Sequence, residues 1–380
     1  SALSIIFAAI ATVVVLKAPP GVAMLPDGER APVVFSASVA EPGRHNAILE
    51  ADLLVEAADD GAIVSYEYRW NRATVGSIHV TDAIAPVVDY AATTPDTRWA
   101  LEVRAVDDHN WRSEWVVAFD GTTPSAPNLI VEGDSVASGY ERRWFTSRGT
   151  CVSPASSYGA TVRNAMASHL PPAWSPHYRN VARAGAGVFA LLHGGTDPCD
   201  ASYTSQVDDV VALADPTTWN VVVTTAGINS TNWGDVITKL TGGTAFVFSA
   251  SGDRDRCETA VDEQWNLDDQ APSISRRTAE ISNRLLHDTN ARLYWTSYYT
   301  ITGQRLVGSW SPIGDACSES MTEALDRLHA VIRSELPDDV TWVDVDREPV
   351  ALQAWGGWPH PSGDGHAAIG RAVAAAIVGP

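Results

Sequence analysis

The feature of this sequence best suited to chemistry is a serine in a turn. Residues 128–135 (NLIVEGDS) lead from an apolar run, typical of a buried strand, directly into a turn that presents Ser135. A serine hydroxyl is a weak nucleophile until a neighbouring base takes its proton, so a reactive Ser135 needs a histidine close to it in the fold. The alternative interpretation is that Ser135 caps the helix that follows the turn.

Four segments, in order along the chain, resemble the sequence blocks of the SGNH (GDSL-type) serine hydrolases. They are residues 133–139 (GDSVASG), 180–186 (NVARAGA), 225–229 (TAGIN) and 358–361 (WPHP), the last followed by 365–369 (GHAAI). Each block is weakly specific alone, but the order and spacing of the four are typical of the family. Residues 147–158 (SRGTCVSPASSY) are similar to a loop of the secreted actinobacterial lipases and esterases.

The resemblance implies a role for one residue in each block. Ser135 corresponds to the nucleophile, and His360 corresponds to the general base that takes its proton. The Ser135 and Gly185 amides and the Asn229 side chain would hold the oxyanion, and one such donor is typically worth about 10²–10³ in rate. The implied reaction is hydrolysis of a carboxylic ester through an acyl-enzyme on Ser135, with no metal and no cofactor.

The sequence departs from the family pattern where a third catalytic member is expected. The family often places an aspartate three residues before the histidine, and Gly357 occupies that position. We therefore expect a Ser–His dyad in which a backbone carbonyl near Gly357 orients the ring of His360. Two carboxylates that end the preceding strand, Asp344 and Asp346, are less favoured partners. Asp364 is also less favoured, because it is better placed to cap the closing helix.

Other departures concern positions beside the predicted site residues. Ser230 follows the third-block asparagine, where the family usually has an aspartate. Arg183 occupies a second-block position at which related secreted lipases often carry a cysteine, so Cys151 must pair elsewhere. His366 lacks the His-Pro context of His360, and we expect it to begin a helix.

The second half of the chain alternates strand-like and helix-like stretches. Apolar runs suited to strands buried on both faces occur at residues 128–131, 178–181, 221–225, 292–297 and 340–345. Stretches with helical periodicity lie at residues 158–170, 203–213, 277–287, 320–336 and 366–378. This alternation predicts an α/β domain with a parallel sheet and a site at the carboxyl ends of its strands. The resemblance implies the three-layer α/β/α SGNH fold over residues 128–380.

The first half of the chain has a different periodicity. Strand-like runs occupy residues 32–40, 48–57, 63–70, 98–106 and 115–119, with turn residues between them. This pattern predicts an all-β sandwich over residues 24–120, and the runs YEYRWN and LEVRAVDDHNWRSE resemble immunoglobulin-like or fibronectin type III modules. The composition of residues 121–127 (GTTPSAP) predicts a linker.

The amino terminus and the cysteines bear on the location of the protein. Residues 1–23 contain a nearly unbroken apolar run, for which a signal or anchor segment and a buried first strand are both open. The four cysteines lack metal-ligand spacing, and their even number favours two disulfides over four free buried thiols. Cys151 follows the first block and Cys199 the second, while Cys257 and Cys317 come later, so we expect the pairs Cys151–Cys199 and Cys257–Cys317. Disulfides form in oxidising compartments, which predicts an extracytoplasmic protein, secreted or surface-associated.

Composition limits the partners of the chain. With 26 Lys+Arg against 46 Asp+Glu, the formal net charge is −20, and a surface so acidic repels nucleic acid. Only two of the basic residues, Lys17 and Lys239, are lysines. Several tryptophans could line an apolar acyl site or stack on sugars: Trp144, Trp174, Trp233, Trp355 and Trp358. The expected partner is therefore an ester substrate, either a lipid or an acylated glycan.

The sequence as a whole favours an extracytoplasmic serine esterase or lipase. Within enzymes, the alternative is a carbohydrate O-acetylesterase of the same family, with the β-sandwich as a candidate surface for glycan or cell-surface contact. Outside enzymes, the alternative is a surface or virion adhesion protein with a catalytically idle hydrolase fold.

Overall fold

The chain divides into two compact units, separated between Ala126 and Pro127. Residues 171–174 group with the first unit. The computed structural model describes residues 33–39, 49–50, 53–58, 63–74, 77–81, 87–88, 95–122, 125–140, 151–215, 218–241, 254–299, 318–345, 350–353 and 360–379. Among these residues, no helix is both long enough and apolar enough to cross a membrane.

The described part of the first unit is built from antiparallel strands. They are β1 (Val33–Val39), β2 (Leu49–Glu50), β3 (Leu53–Ala58), β4 (Ile63–Thr74), β5 (Ser77–Thr81), β6 (Val87–Val88), β7 (Arg98–Asp107) and β8 (Val116–Thr122). The largest sheet has the strand order β5-β4-β7-β8, and β1 pairs with β3 while β2 pairs with β6. Residues alternate along β7 between the core and the other face, which fits the predicted period of two.

The second unit is organised by a parallel sheet. Its strands are β9 (Asn128–Gly133), β10 (His177–Asn180), β11 (Gly195–Thr196), β12 (Ser202–Tyr203), β13 (Asn220–Thr225), β14 (Arg292–Thr296) and β15 (Val340–Val343). Five of them form the parallel sheet, in the order β10-β9-β13-β14-β15, and β11 pairs with β12 in a short antiparallel ribbon. Every residue of β13 is buried, as expected for a strand covered on both faces.

Helices cover the sheet in two groups. They are α1 (Ser135–Ser138), α2 (Tyr158–Ser168), α3 (Val188–His193), α4 (Gln206–Leu213), α5 (Trp233–Thr241), α6 (Arg254–Gln264), α7 (Leu267–Thr289), α8 (Ser318–Arg333) and α9 (Gly363–Val378). Helix α2 packs against α9, whereas α3, α4 and α7 pack against one another, and both groups contact the sheet. One apolar face of α8, within the predicted stretch 320–336, is buried: Met321, Leu325, Leu328 and Ile332. The predicted α/β organisation with a parallel sheet is therefore confirmed.

Several predictions fall outside the described residues and stay predictions. These are the amino-terminal segment 1–23, the partner Cys317 of Cys257, and the loop around Gly357. The other predicted disulfide is present, because Cys151 is bonded to Cys199. The bond joins the segment that follows the first block to the segment that follows the second.

Candidate active site

Ser135 lies at the carboxyl end of β9, where the sheet gives way to a sharp turn. Asp134 caps α1, and its Oδ1 accepts a hydrogen bond from the Val136 amide at 2.9 Å. Gly133 has a φ of +131°, and a Cβ at this position would lie 2.1 Å from the carbonyl oxygen of Thr225. Only glycine therefore allows the chain to pass so close to β13 before it turns. Ser135 is the first residue of α1, so its amide has no acceptor within the helix.

His360 lies directly against this serine. The Nε2 atom of His360 is 2.9 Å from the Oγ atom of Ser135, a hydrogen-bond distance across which the imidazole can take the hydroxyl proton. The ring of Tyr140 packs against the imidazole with 4.7 Å between ring centroids. Ser135 and His360 are both half-buried, which leaves the pair in contact with solvent.

The segment that carries His360 is held in place by Gln353. The amide of Gln353 donates to the carbonyl oxygen of His360 at 2.8 Å. Its side-chain Nε2 donates to the carbonyl oxygens of Tyr140 at 2.7 Å and Pro361 at 3.0 Å. A single side chain thus ties the histidine segment to the segment that follows Ser135. No motif in the sequence marks this glutamine.

Gly185 and Asn229, the other predicted oxyanion residues, are both exposed: Gly185 lies in a turn after β10, and Asn229 lies in a short 3-10 helix (Ile228–Ser230) after β13. Gly185 has a φ of +78°, in a turn closed by a 3.1 Å hydrogen bond from the Ala186 amide to the Arg183 carbonyl. The Nδ2 atom of Asn229 donates to the Ala186 carbonyl at 3.4 Å, so the asparagine reaches the residue next to Gly185. The Arg183 amide donates to the Gly133 carbonyl at 3.0 Å, which joins this turn to the turn that carries Ser135.

Two buried or half-buried amide side chains fix the backbone around the nucleophile. Gln206 on α4 accepts from the Gly133 amide at 2.8 Å and donates to the Gly133 carbonyl at 3.0 Å. Asn180 donates to the Ala137 carbonyl at 2.9 Å and accepts from the Ala182 amide at 3.0 Å. Asn180 belongs to the second block, but no role could be predicted from the sequence for it or for Gln206.

Two carboxyl groups close to Ser135 in the sequence are buried, that of Glu132 in β9 and that of Asp134 in the turn. Oδ2 of Asp134 accepts from the Tyr298 hydroxyl at 2.5 Å. Burial raises the pKa of Asp134 to about 6, against the lowering effect of this hydrogen bond. Glu132 on β9 accepts from the Thr224 hydroxyl at 2.8 Å, and its second oxygen has no hydrogen-bond partner among the described residues. Burial raises the pKa of Glu132 to about 7.

The described carboxylates considered as a third member have other surroundings. Oδ1 of Asp344 accepts from the indole nitrogen of Trp342 at 2.5 Å. Asp364 is exposed in the first turn of α9, and its predicted capping role is wrong. Ser362 caps this helix instead, because it precedes the first turn and its hydroxyl accepts from the Gly365 amide at 3.2 Å.

The remaining third-member candidates, Asp346 and the carbonyl near Gly357, lie outside the described residues.

His366 lies in the first turn of α9, where it is buried and both ring nitrogens lack a hydrogen-bond partner among the described residues. Burial, together with the nearby His360, lowers the pKa of His366 to about 4. Ser230 accepts from the Val188 amide at 2.8 Å, so its hydroxyl joins the third block to α3.

The described tryptophans of the predicted set are core residues. Trp174 and Trp233 are buried, and the ring of Trp233 packs against Trp265 with centroids 5.7 Å apart. Trp144, Trp355 and Trp358 lie outside the described residues. An aromatic residue that the sequence did not single out, Phe189, is 53 % exposed on α3, just beyond the Gly185 turn.

Comparison with known proteins gives fold neighbours only. Neither a family model nor a curated protein matches the chain. An extracellular lipase from Streptomyces rimosus is 18% identical with a TM-score of 0.44, covering 67% of this chain and 100% of the lipase. A carbohydrate acetylesterase from Sinorhizobium meliloti is 11% identical with a TM-score of 0.40, covering 67% of this chain and 98% of the esterase. An inhibitor-bound aryl esterase from M. smegmatis is 11% identical with a TM-score of 0.40, covering 66% of this chain and 98% of that esterase.

Proposed function

We propose that this chain is a serine-dependent carboxylic ester hydrolase, with Ser135 as nucleophile and His360 as general base. The observation that carries the proposal is the 2.9 Å distance between His360 Nε2 and Ser135 Oγ at the carboxyl end of β9. A general base must lie within about 2.6–3.2 Å of the proton donor it serves. The four sequence blocks, which resemble those of SGNH hydrolases, place the same two residues in the same roles.

In the proposed mechanism, the Oγ atom of Ser135 attacks the ester carbonyl carbon while His360 Nε2 takes its proton. The negative charge that develops on the carbonyl oxygen is held by the amides of Ser135 and Gly185 and by the side chain of Asn229. His360 returns the proton to the leaving alcohol oxygen, and the tetrahedral intermediate collapses to an acyl-enzyme. Water deprotonated by His360 then attacks the acyl carbon, which releases the acid and restores Ser135.

We further propose that His360 and Ser135 form a Ser–His dyad, in which the ring of His360 has a backbone carbonyl as its partner rather than a carboxylate. Two observations support this: Asp344 accepts a hydrogen bond from Trp342, and Asp364 is exposed in the first turn of α9. A backbone carbonyl near Gly357 would orient the imidazole and select the tautomer in which Nε2 can accept the serine proton.

The test is ester hydrolysis by the wild-type chain and by Ser135→Ala. p-Nitrophenyl esters from acetate to palmitate, together with an O-acetylated glycan, cover the lipid and carbohydrate alternatives. We expect Ser135→Ala to lower kcat by about 10⁴-fold or more, since removal of a nucleophilic serine leaves only background catalysis. A folded Ser135→Ala variant that keeps the wild-type rate would contradict the mechanism.

Ser168 offers a matched control for labelling with a fluorophosphonate. It is an exposed serine on α2 whose Oγ lies 3.3 Å from Nδ1 of His169, so it also has a histidine beside it. It lies in the last turn of a helix rather than at the turn that carries the proposed oxyanion donors. We expect Ser168→Ala to label like the wild-type chain and Ser135→Ala to remain unlabelled, whereas a catalytically idle fold would leave the wild-type chain unlabelled as well.

Location and the role of the first unit are part of the same proposal. The Cys151–Cys199 disulfide supports an extracytoplasmic protein, since disulfides are rare in reducing compartments. The four-stranded antiparallel sheet, with β1 in contact with β7 and β8, supports an immunoglobulin-like sandwich for the first unit. Such a module would suit contact with a glycan or a cell surface.

A further inference from the structure

The hydroxyl of Tyr298 connects the nucleophile turn to the loop that carries Asn229. Its oxygen accepts from the Ile228 amide at 3.2 Å, and it donates to Oδ2 of Asp134 at 2.5 Å. A phenol has one proton to donate, and an amide can only donate, so the phenolic proton points to Asp134. Asp134 immediately precedes Ser135, and Ile228 immediately precedes Asn229. One hydroxyl therefore joins two segments that carry proposed catalytic groups.

The ring of Tyr298 is held firmly enough to act as a fixed point. The residue follows β14 and is only 3% exposed. Its amide donates to Nε2 of the buried His329 at 2.9 Å, and the two rings stack nearly parallel with centroids 6.3 Å apart. Burial lowers the pKa of His329 to about 4, so at neutral pH this imidazole is uncharged and its Nε2 can accept. Tyr298 is thus fixed at its backbone, at its ring and at its hydroxyl.

We propose that Tyr298 is a positioning residue. Its hydroxyl holds the turn that carries Ser135 and the segment that carries Asn229 at the distance that the proposed reaction requires. This inference rests on the proposed function of Ser135 and Asn229. Oxyanion donors are effective only when they are fixed before the reaction, and a displacement of about 1 Å can cost about 10²-fold in rate. Without the hydroxyl, the buried Asp134 oxygen and the amide of the half-buried Ile228 would lose that partner, and the two segments would relax apart.

The ionisation of Asp134 depends on the same contact. Tyr158 on α2 and Tyr299 beside Tyr298 interact electrostatically with Asp134, and burial raises their pKa values, as it does for Tyr298 itself. Glu132, two residues before Asp134, is also buried, and burial raises its pKa to about 7. The three tyrosines are therefore uncharged at neutral pH. The phenolic hydrogen bond stabilises the charged carboxylate, so its loss should raise the pKa of Asp134 further.

The experiment compares Tyr298→Phe with Tyr158→Phe in the full chain. Tyr158 is a matched control, because it is fully buried and its hydroxyl bonds instead to the Thr225 hydroxyl at 2.9 Å. We expect Tyr298→Phe to lower kcat for p-nitrophenyl acetate about tenfold or more, with KM changed less than about threefold. Tyr158→Phe should change neither kcat nor KM.

A Tyr298→Phe variant with wild-type kcat would overturn the inference, even when Ser135→Ala has lost activity and the proposed function stands. An active Ser135→Ala variant would overturn both. If Tyr298→Phe does not fold, Asp134→Asn tests the same contact from its other end. It should also lower kcat about tenfold with little change in KM, and a wild-type rate for that variant would overturn the inference.

Discussion

Glu132 offers a quantitative test of the electrostatics beneath the site. It is fully buried on β9, accepts one hydrogen bond from Thr224, and has a second oxygen without a hydrogen-bond partner among the described residues. Burial raises its pKa to about 7 from an ordinary value of 4.5. The folded chain therefore binds a proton at Glu132 that the unfolded chain releases over this interval of pH.

The sign and size of the effect follow from this difference in proton binding. A pKa raised by folding contributes stability that is fully present below about pH 4.5 and is lost as pH rises through about 7. The interval of about 2.5 pH units, at 1.36 kcal/mol per unit, corresponds to about 3 kcal/mol in the free energy of unfolding. Glu132→Gln keeps the acceptor for the Thr224 hydroxyl and cannot ionise, so it should escape this loss.

The assay is urea unfolding of wild-type and Glu132→Gln chains at several pH values between about 5 and 8. We expect the variant to gain stability over the wild-type chain as pH rises, by about 2–3 kcal/mol across this range. Glu280→Gln, on the exposed face of α7, controls for the loss of one formal charge. A stability difference between Glu132→Gln and wild type that does not change with pH would refute the reasoning.

Two further predictions concern the proposed base. Gln353→Leu should lower kcat about tenfold and slow fluorophosphonate labelling by the same factor. The reason is that the side-chain hydrogen bonds to the Tyr140 and Pro361 carbonyls are lost. An unchanged labelling rate would contradict this. Asp344→Asn and Asp364→Asn should each change kcat less than about threefold if the dyad is correct. A triad aspartate costs about 10⁴, so a thousandfold fall in either variant would identify the acid.

The strands of the second unit were predictable because burial on both faces leaves an unbroken apolar run in the sequence. All five predicted runs correspond to strands of the parallel sheet, with ends displaced by no more than a few residues. Helices α3, α5 and α6 were not predicted. Helix α6 (RDRCETAVDEQ) is mostly charged and polar, and α3 has only six residues. Helix α7 begins ten residues before the predicted start, in a stretch with few apolar residues that contains Pro272.

The predicted catalytic and oxyanion residues all belong to the four sequence blocks. Other residues, whose hydrogen bonds position these blocks in the fold, lie outside them and match no motif. Gln353 and Gln206 act on backbone carbonyls and amides, and such contacts leave no spacing pattern in the sequence. Tyr298 contacts Asp134 across 164 positions of the chain. The carboxyl ends of parallel strands were expected to meet, but the sequence did not establish which strands are neighbours.

The strand order explains why Tyr298 is the residue that joins the two segments. In the sheet, β13 lies between β9 and β14, so the segments that follow these three strands emerge side by side. Asp134 follows β9, Ile228 follows β13 and Tyr298 follows β14, and a tyrosine side chain is long enough to reach both of the others from the third strand. A shorter side chain after β14 would leave the buried Asp134 carboxylate without its phenolic partner. The parallel order of the sheet therefore determines both where the proposed reaction takes place and which neighbouring strand can stabilise its geometry.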